Sequence, residues 1–162
     1  MHEASDEGQI AGENAAHYPE VYKRTRRTFL GIVFCDPQIA LVGRSYEQLT
    51  NAGANFQVGE VGFEDQGRAR VILKNKGLLR VYAAEGSGCL LGVEMIAPDA
   101  EHLAHLLACS IDGKENIIDI LRKPYYHLTL EKGLRTALRS LYKNLGVGPE
   151  PPLRCIDCGP GS

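Results

Sequence analysis

The chain has 162 residues, 44% of them hydrophobic and 23% charged, which is enough for one ordinary core and gives no sign of disorder along its middle. With 18 basic against 20 acidic side chains the formal net charge is -2, so no overall field favours nucleic acid, and no apolar run approaches a membrane span. Five cysteines without regular spacing argue against a secreted disulfide framework, and Glu3, Asp6 and Glu7 stand where a signal peptide would be basic and then apolar; a cytoplasmic location is the expectation.

Residues 2–16 mix small, acidic and apolar side chains and read as a helix of about ten residues, broken by His17-Tyr18-Pro19 and followed by a linker through Arg27. Lys23, Arg24, Arg26 and Arg27 form a basic cluster on that linker. No aromatic platform accompanies it, so it reads as a solvated segment and not as a phosphate-binding arm. From Thr28 the pattern changes to short runs of Ile, Val and Phe. Residues 29–35 and 39–42 read as strands, separated by Asp36-Pro37, because proline cannot donate to a ladder.

Ser45 with Gln48 three residues on is a capping-box signal that opens a helix at Tyr46, with Gly53 closing it. Strands follow over 56–63, 77–84 and 89–96, the last two joined by the short turn Gly86-Ser87-Gly88. A helix over 99–111 places Leu103, Leu106 and Leu107 on one face, and a shorter one over 116–121 stops before Pro124. The final helix, 130–145, puts Leu130, Leu134, Leu138, Leu141 and Leu145 on one stripe, with Thr129 as its expected cap. Strands in the first half and helices in the second predict an α+β fold, an antiparallel β-sheet covered on one face by helices. The expected divisions are 1–27, a core domain over 28–145, and a flexible tail over 146–162 with four prolines and four glycines.

Several motifs carry possible chemistry. Gly86-Ser87-Gly88-Cys89-Leu90-Leu91-Gly92 is one residue too long for a dinucleotide loop and runs into a strand, which leaves no helix N-terminus to face a phosphate. Glu101, His102 and His105 share a helix, but a metal needs three or four ligands and the sequence offers no convincing others; solvent-facing or interface histidines are expected. Cys35, Cys89 and Cys109 sit in apolar runs and read as small buried side chains. Cys155-Ile156-Asp157-Cys158 has a spacing that allows a disulfide or a two-thiolate grip on a soft metal, without the second pair that a closed zinc site requires.

His127 lies in the aromatic-flanked, irregular stretch Pro124-Tyr125-Tyr126-His127, just ahead of the last helix. An imidazole titrates near neutrality, so a histidine fixed on such a rim can exchange a proton with a reacting group. A packed or capping histidine is the competing reading.

Residues Phe34-Cys35-Asp36-Pro37-Gln38-Ile39-Ala40-Leu41-Val42-Gly43, followed about eighty residues later by His127-Leu128-Thr129-Leu130-Glu131-Lys132-Gly133-Leu134, resemble the C-terminal interface domain of the FAD-dependent pyridine nucleotide-disulfide oxidoreductases, dihydrolipoamide dehydrogenases above all. Residues 1–15 resemble the end of the FAD domain that precedes it. The resemblance implies that 1–27 is a remnant of that domain, that 28–145 is the dimerisation domain, and that the chain is a piece of a larger enzyme. It implies a homodimer, with FAD and NAD(P) held by the missing domains and none by this piece, which is expected to show no turnover alone. On the family pattern, His127 would extend into the partner subunit's site as acid-base for a dithiol beside the flavin. Two positions depart from the pattern His-Pro-Thr-x-x-Glu. Leu128 replaces the proline, and Lys132 stands where a glutamate orients the imidazole; an ammonium there disfavours the charged ring. Glu131, one position earlier, is turned by about 100° on a helix and substitutes only if the backbone turns differently. The related mercuric reductases carry a C-terminal cysteine pair that passes metal to the active site. They supply the alternative reading, a stand-alone dimeric or soft-metal-handling module that uses Cys155 and Cys158.

Overall fold

In the computed structural model, which describes residues 2–146, five antiparallel strands form one sheet in the order β1-β2-β5-β4-β3. The strands are β1 (Leu30–Val33), β2 (Gln38–Gly43), β3 (Phe56–Gly62), β4 (Leu78–Ala84) and β5 (Leu90–Ala97). Around them run α1 (His2–Ala16), α2 (Tyr46–Asn51), α3 (Gly67–Val71), α4 (Ala100–Asp112), α5 (Ile117–Leu121) and α6 (Glu131–Leu145). The α+β class and the antiparallel sheet are as the sequence pattern predicts.

Period-two alternation decides which side chains form the core. Ala40 and Val42 on β2, Leu79 and Val81 on β4, and Val93 and Met95 on β5 are all buried, and the register places Val93 opposite both Val42 and Val81. α4 lies over β2 and β5, and α6 lies over β3 and β4, each with its leucine stripe inward: Leu103 and Leu107 on α4, Leu134, Leu138 and Leu141 on α6. The closest approach is at Gly59, where a Cβ would fall 2.3 Å from the Ala137 carbonyl oxygen and 2.4 Å from Leu141 Cβ. Only a residue without a side chain lets β3 and α6 come that near.

The opposite face is partly open. Val33, Ile39 and Ile96 are 57%, 44% and 40% exposed there, and Arg80 pairs with Glu60 at 3.1 Å. Tyr82 points to this face yet is fully buried, because the rings of Tyr46 and Phe56 close over it at centroid distances of 5.9 and 5.8 Å. Its hydroxyl donates to Glu94 at 2.5 Å, and burial followed by that carboxylate raises its pKa.

The capping box at α2 forms as read: Ser45 Oγ accepts from the Gln48 N–H at 3.1 Å, and Gln48 Oε1 accepts from the Ser45 N–H at 3.0 Å. Other expectations need correction. α1 spans 15 residues, not about ten, because Gly8 and Gly12 do not break it. The linker folds back along it, with Arg24, Arg26 and Arg27 paired to Glu13, Glu7 and Asp6 at 2.5, 2.7 and 3.2 Å. Three arginines of the basic cluster are thus matched by acids; as exposed pairs they add little stability. α3 was not expected. It has five residues, buries only Ala69 and is capped by a glutamine, so it leaves no periodic trace.

The cysteines also differ from expectation. Cys35 and Cys109 are exposed and Cys89 is half-buried. β1 stops at Val33, which leaves Cys35 in the turn, and Cys109 shares the outer face of α4 with the exposed His102 and His105.

Candidate functional site

The segment that carries His127 is anchored at both ends. Before it, α5 is opened by a capping box between Asn116 and Asp119, and Lys123 just past its end donates to Glu115 at 2.5 Å and to Ser110 at 3.2 Å. That ammonium holds the Glu115 carboxyl below the usual carboxylate range and ties the end of α5 to α4. Next, the Tyr125 hydroxyl donates to the Ile120 carbonyl at 3.1 Å, and its ring lies under the Arg135 guanidinium at 5.8 Å. Burial pushes the Tyr125 hydroxyl up to about 12. Tyr125 therefore turns inward, while Tyr126 is 82% exposed and His127 is exposed beside it.

After the histidine the backbone crosses a cis His127-Leu128 bond and reaches Leu130, which is buried in the core. Thr129 does not cap α6. Its hydroxyl turns back to donate to the Tyr126 carbonyl at 3.0 Å, and the residue at the cap position is Leu130, without a side-chain hydrogen bond. Gln66 fixes this turn from the side: its Nε2 donates to the Thr129 carbonyl at 2.6 Å, and its Oε1 accepts from the Ala69 N–H at 2.7 Å. The histidine is thus presented by a stapled, irregular loop between two helices.

Its imidazole has no hydrogen-bond or ion-pair partner among the described residues. Glu131 and Lys132 occupy the first turn of α6, half-buried, and neither is bonded to His127. Glu131 instead lines a cleft with Arg68 and Leu128. Arg68 is the residue that sequence reasoning missed here, since the helix that carries it left no signal. His102 and His105 face outward, as expected, and His105 Nδ1 is held 2.7 Å from the carbonyl of Glu101. Among the described residues no group of three or more His, Cys, Asp or Glu is placed to hold a metal ion. Cys155 and Cys158 lie outside the described residues.

The stretch 86–92 does not form a dinucleotide cradle. Gly86 and Gly88, at φ +81 and +65, form a turn that runs into the strand β5 and not into a helix, so no N-terminal dipole faces an anion there.

A five-stranded antiparallel sheet is thus backed by α4 and α6, with His127 on a loop at the head of the last helix. The chain matches the family of the pyridine nucleotide-disulphide oxidoreductase dimerisation domain over residues 30–138, and it belongs to that family. Its similar proteins include dihydrolipoyl dehydrogenase 1, mitochondrial, of Arabidopsis thaliana, 32% identical over 112 residues that make up 69% of this chain and 22% of the relative. The dihydrolipoyl dehydrogenase of Haloferax volcanii is 32% identical over 136 residues, 84% of this chain and 28% of that protein. In fold the chain is similar to the HOCl-induced flavoprotein disulfide reductase RclA from Escherichia coli, solved as a Cu(II) complex. That likeness has a TM-score of 0.71 at 19% identity and covers 83% of this chain and 30% of the other. The chain therefore spans well under a third of the curated relatives described. It is a dimerisation domain of the dihydrolipoamide dehydrogenase-like oxidoreductases.

Proposed function

We propose that this domain joins two subunits of a flavin-dependent disulfide oxidoreductase and that His127 serves as the acid-base group for the partner subunit's dithiol. FAD and NAD(P) belong, in this reading, to the other domains of the complete enzyme. The observation that carries it is the exposed, unpartnered imidazole of His127, held on a loop stapled by Gln66 and by the Tyr125 anchor. A buried or capping histidine would have its ring nitrogens occupied; this one keeps both for an outside group.

The proton bookkeeping is simple. A thiol passes its proton to the neutral imidazole, which leaves a thiolate and an imidazolium, and the proton returns when the thiolate is next protonated. Among the described residues no carboxylate lies within hydrogen-bonding or ion-pair reach of the ring. The test is His127→Gln in the complete enzyme. A loss of roughly 10²- to 10⁴-fold in thiol-disulfide turnover, with bound flavin unchanged, is expected. An unaltered rate and pH profile would sink the assignment.

A further inference from the structure

Between α3, the start of α4 and the loop after His127 lies a cleft of about 300 Å³, lined among others by Arg68, Asp99, His102, Leu103, Leu128 and Glu131. On one side α3 is tied to the loop after His127. Gln66 bonds both the Thr129 carbonyl and the Ala69 N–H, and α3 presses so closely on Leu128 that a Cβ at Gly67 would fall 2.6 Å from Leu128 Cδ1.

The charges on the cleft are uncommitted. Arg68, Asp99 and Glu131 form no side-chain hydrogen bond or ion pair with another described residue, and His102 reaches only Glu101, at 4.0 Å. Asp99 stands at the N-cap position of α4 in a left-handed conformation, φ 49 and ψ 39, and its carboxylate does not cap the helix. A cation and two carboxylates thus share one small space without neutralising each other directly. The guanidinium offers a planar fork that matches a carboxylate, the two acids offer acceptors to an ammonium, and Leu103 and Leu128 supply an apolar wall.

We infer that this cleft binds a small zwitterion, the end group of an α-amino acid. Arg68 takes its carboxylate, Asp99 and Glu131 take its ammonium, and the leucines receive a short aliphatic side chain. The volume is at the lower end for small-molecule sites, which suits an end group. A free amino acid and the aminoacyl end of a larger thiol compound share this chemistry. The inference concerns binding alone and stands whether or not His127 exchanges a proton.

The experiment is an amide NMR titration of the labelled chain with two redox-inert probes, L-norvaline for the free amino acid and S-methylglutathione for the larger thiol compound. Saturable shifts at residues lining the cleft, Arg68, Asp99, Leu128 and Glu131 among them, are expected with at least one, and the probe that saturates at lower concentration identifies the source. Arg68→Ala and Glu131→Gln should each weaken that binding by at least about tenfold, and norvalinamide and N-acetylnorvaline, which each lack one charge, should bind more weakly than norvaline. Arg68 is exposed, so its variant keeps the fold, and Arg68→Gln provides a second test of the same charge. Absence of saturable shifts with both probes, or binding indifferent to these variants and to removal of either charge, would overturn the inference.

Discussion

Gln66 and Thr129, 63 residues apart, are joined by a 2.6 Å hydrogen bond from the amide of one to the carbonyl of the other. The same glutamine caps α3 through Ala69, so one side chain holds a short helix and the His127 loop together. Gln66→Ala removes both bonds and leaves the Thr129 carbonyl without this partner. A loss of about 1–3 kcal/mol in stability is expected, read as a lower midpoint in urea with an unchanged slope.

The contact of β3 with α6 depends on Gly59. An added methyl would sit 2.3 Å from the Ala137 carbonyl oxygen, which belongs to helix backbone and cannot swing away. Gly59→Ala should therefore cost about 1–3 kcal/mol through overpacking, with a lower Tm in calorimetry. Leu138→Ala at the same interface has the opposite defect, a cavity under a fully buried side chain, and about 2–5 kcal/mol is expected from denaturant titration.

Much of this interface is legible in the sequence, and the reasons are physical. Leu134, Leu138 and Leu141 repeat at helical spacing, and the alternation of β4 and β5 sorts Leu79, Val81, Val93 and Met95 to one face. Ser45 and Gln48 announce a cap by residue type alone. Gln66 does not, because a glutamine cap on a five-residue helix resembles any polar turn. Thr129 misleads for the converse reason: the residue type is right for a cap, but tertiary packing turns its hydroxyl to Tyr126. Arg68 reaches the cleft only through the folding of that unexpected helix, and Cys109 sits in an apolar run yet falls on the outer face of α4.

Alkaline pH should weaken the fold through Tyr125. Burial raises the folded pKa of its hydroxyl from 10.0 to about 12, so the folded chain binds more protons than the unfolded one between those values. Stability conferred by the neutral phenol is complete below 10.0 and is lost as pH rises toward about 12. Tyr125→Phe should flatten this part of a stability-against-pH curve measured by urea denaturation; an equally steep decline in the variant would point to another group.

Acid should act at the junction of β1 and α4. Asp112 accepts from the hydroxyl and, at 2.9 Å, from the N–H of Thr28, and these bonds hold its carboxyl below the usual range. A depressed folded pKa contributes stability above the unfolded value of 3.8, and that contribution is lost as pH falls through the folded value. Thr28→Val removes the hydroxyl bond and should shift the acid loss toward higher pH, as followed by circular dichroism.

Association is checked by light scattering of the chain over a range of concentrations. A species of about 35 kDa, twice the 17.7 kDa chain, is expected if the domain dimerises on its own.

The most direct test of the central proposal uses hybrid dimers of the complete enzyme. One subunit carries His127→Gln; the other keeps His127 but lacks the redox cysteine pair of its own dithiol site. Each homodimer is expected to be inactive. If His127 works across the subunit boundary, refolding the two together restores turnover, because one site then combines an intact dithiol with the partner's intact imidazole. Hybrid dimers that form but remain inactive would contradict the account.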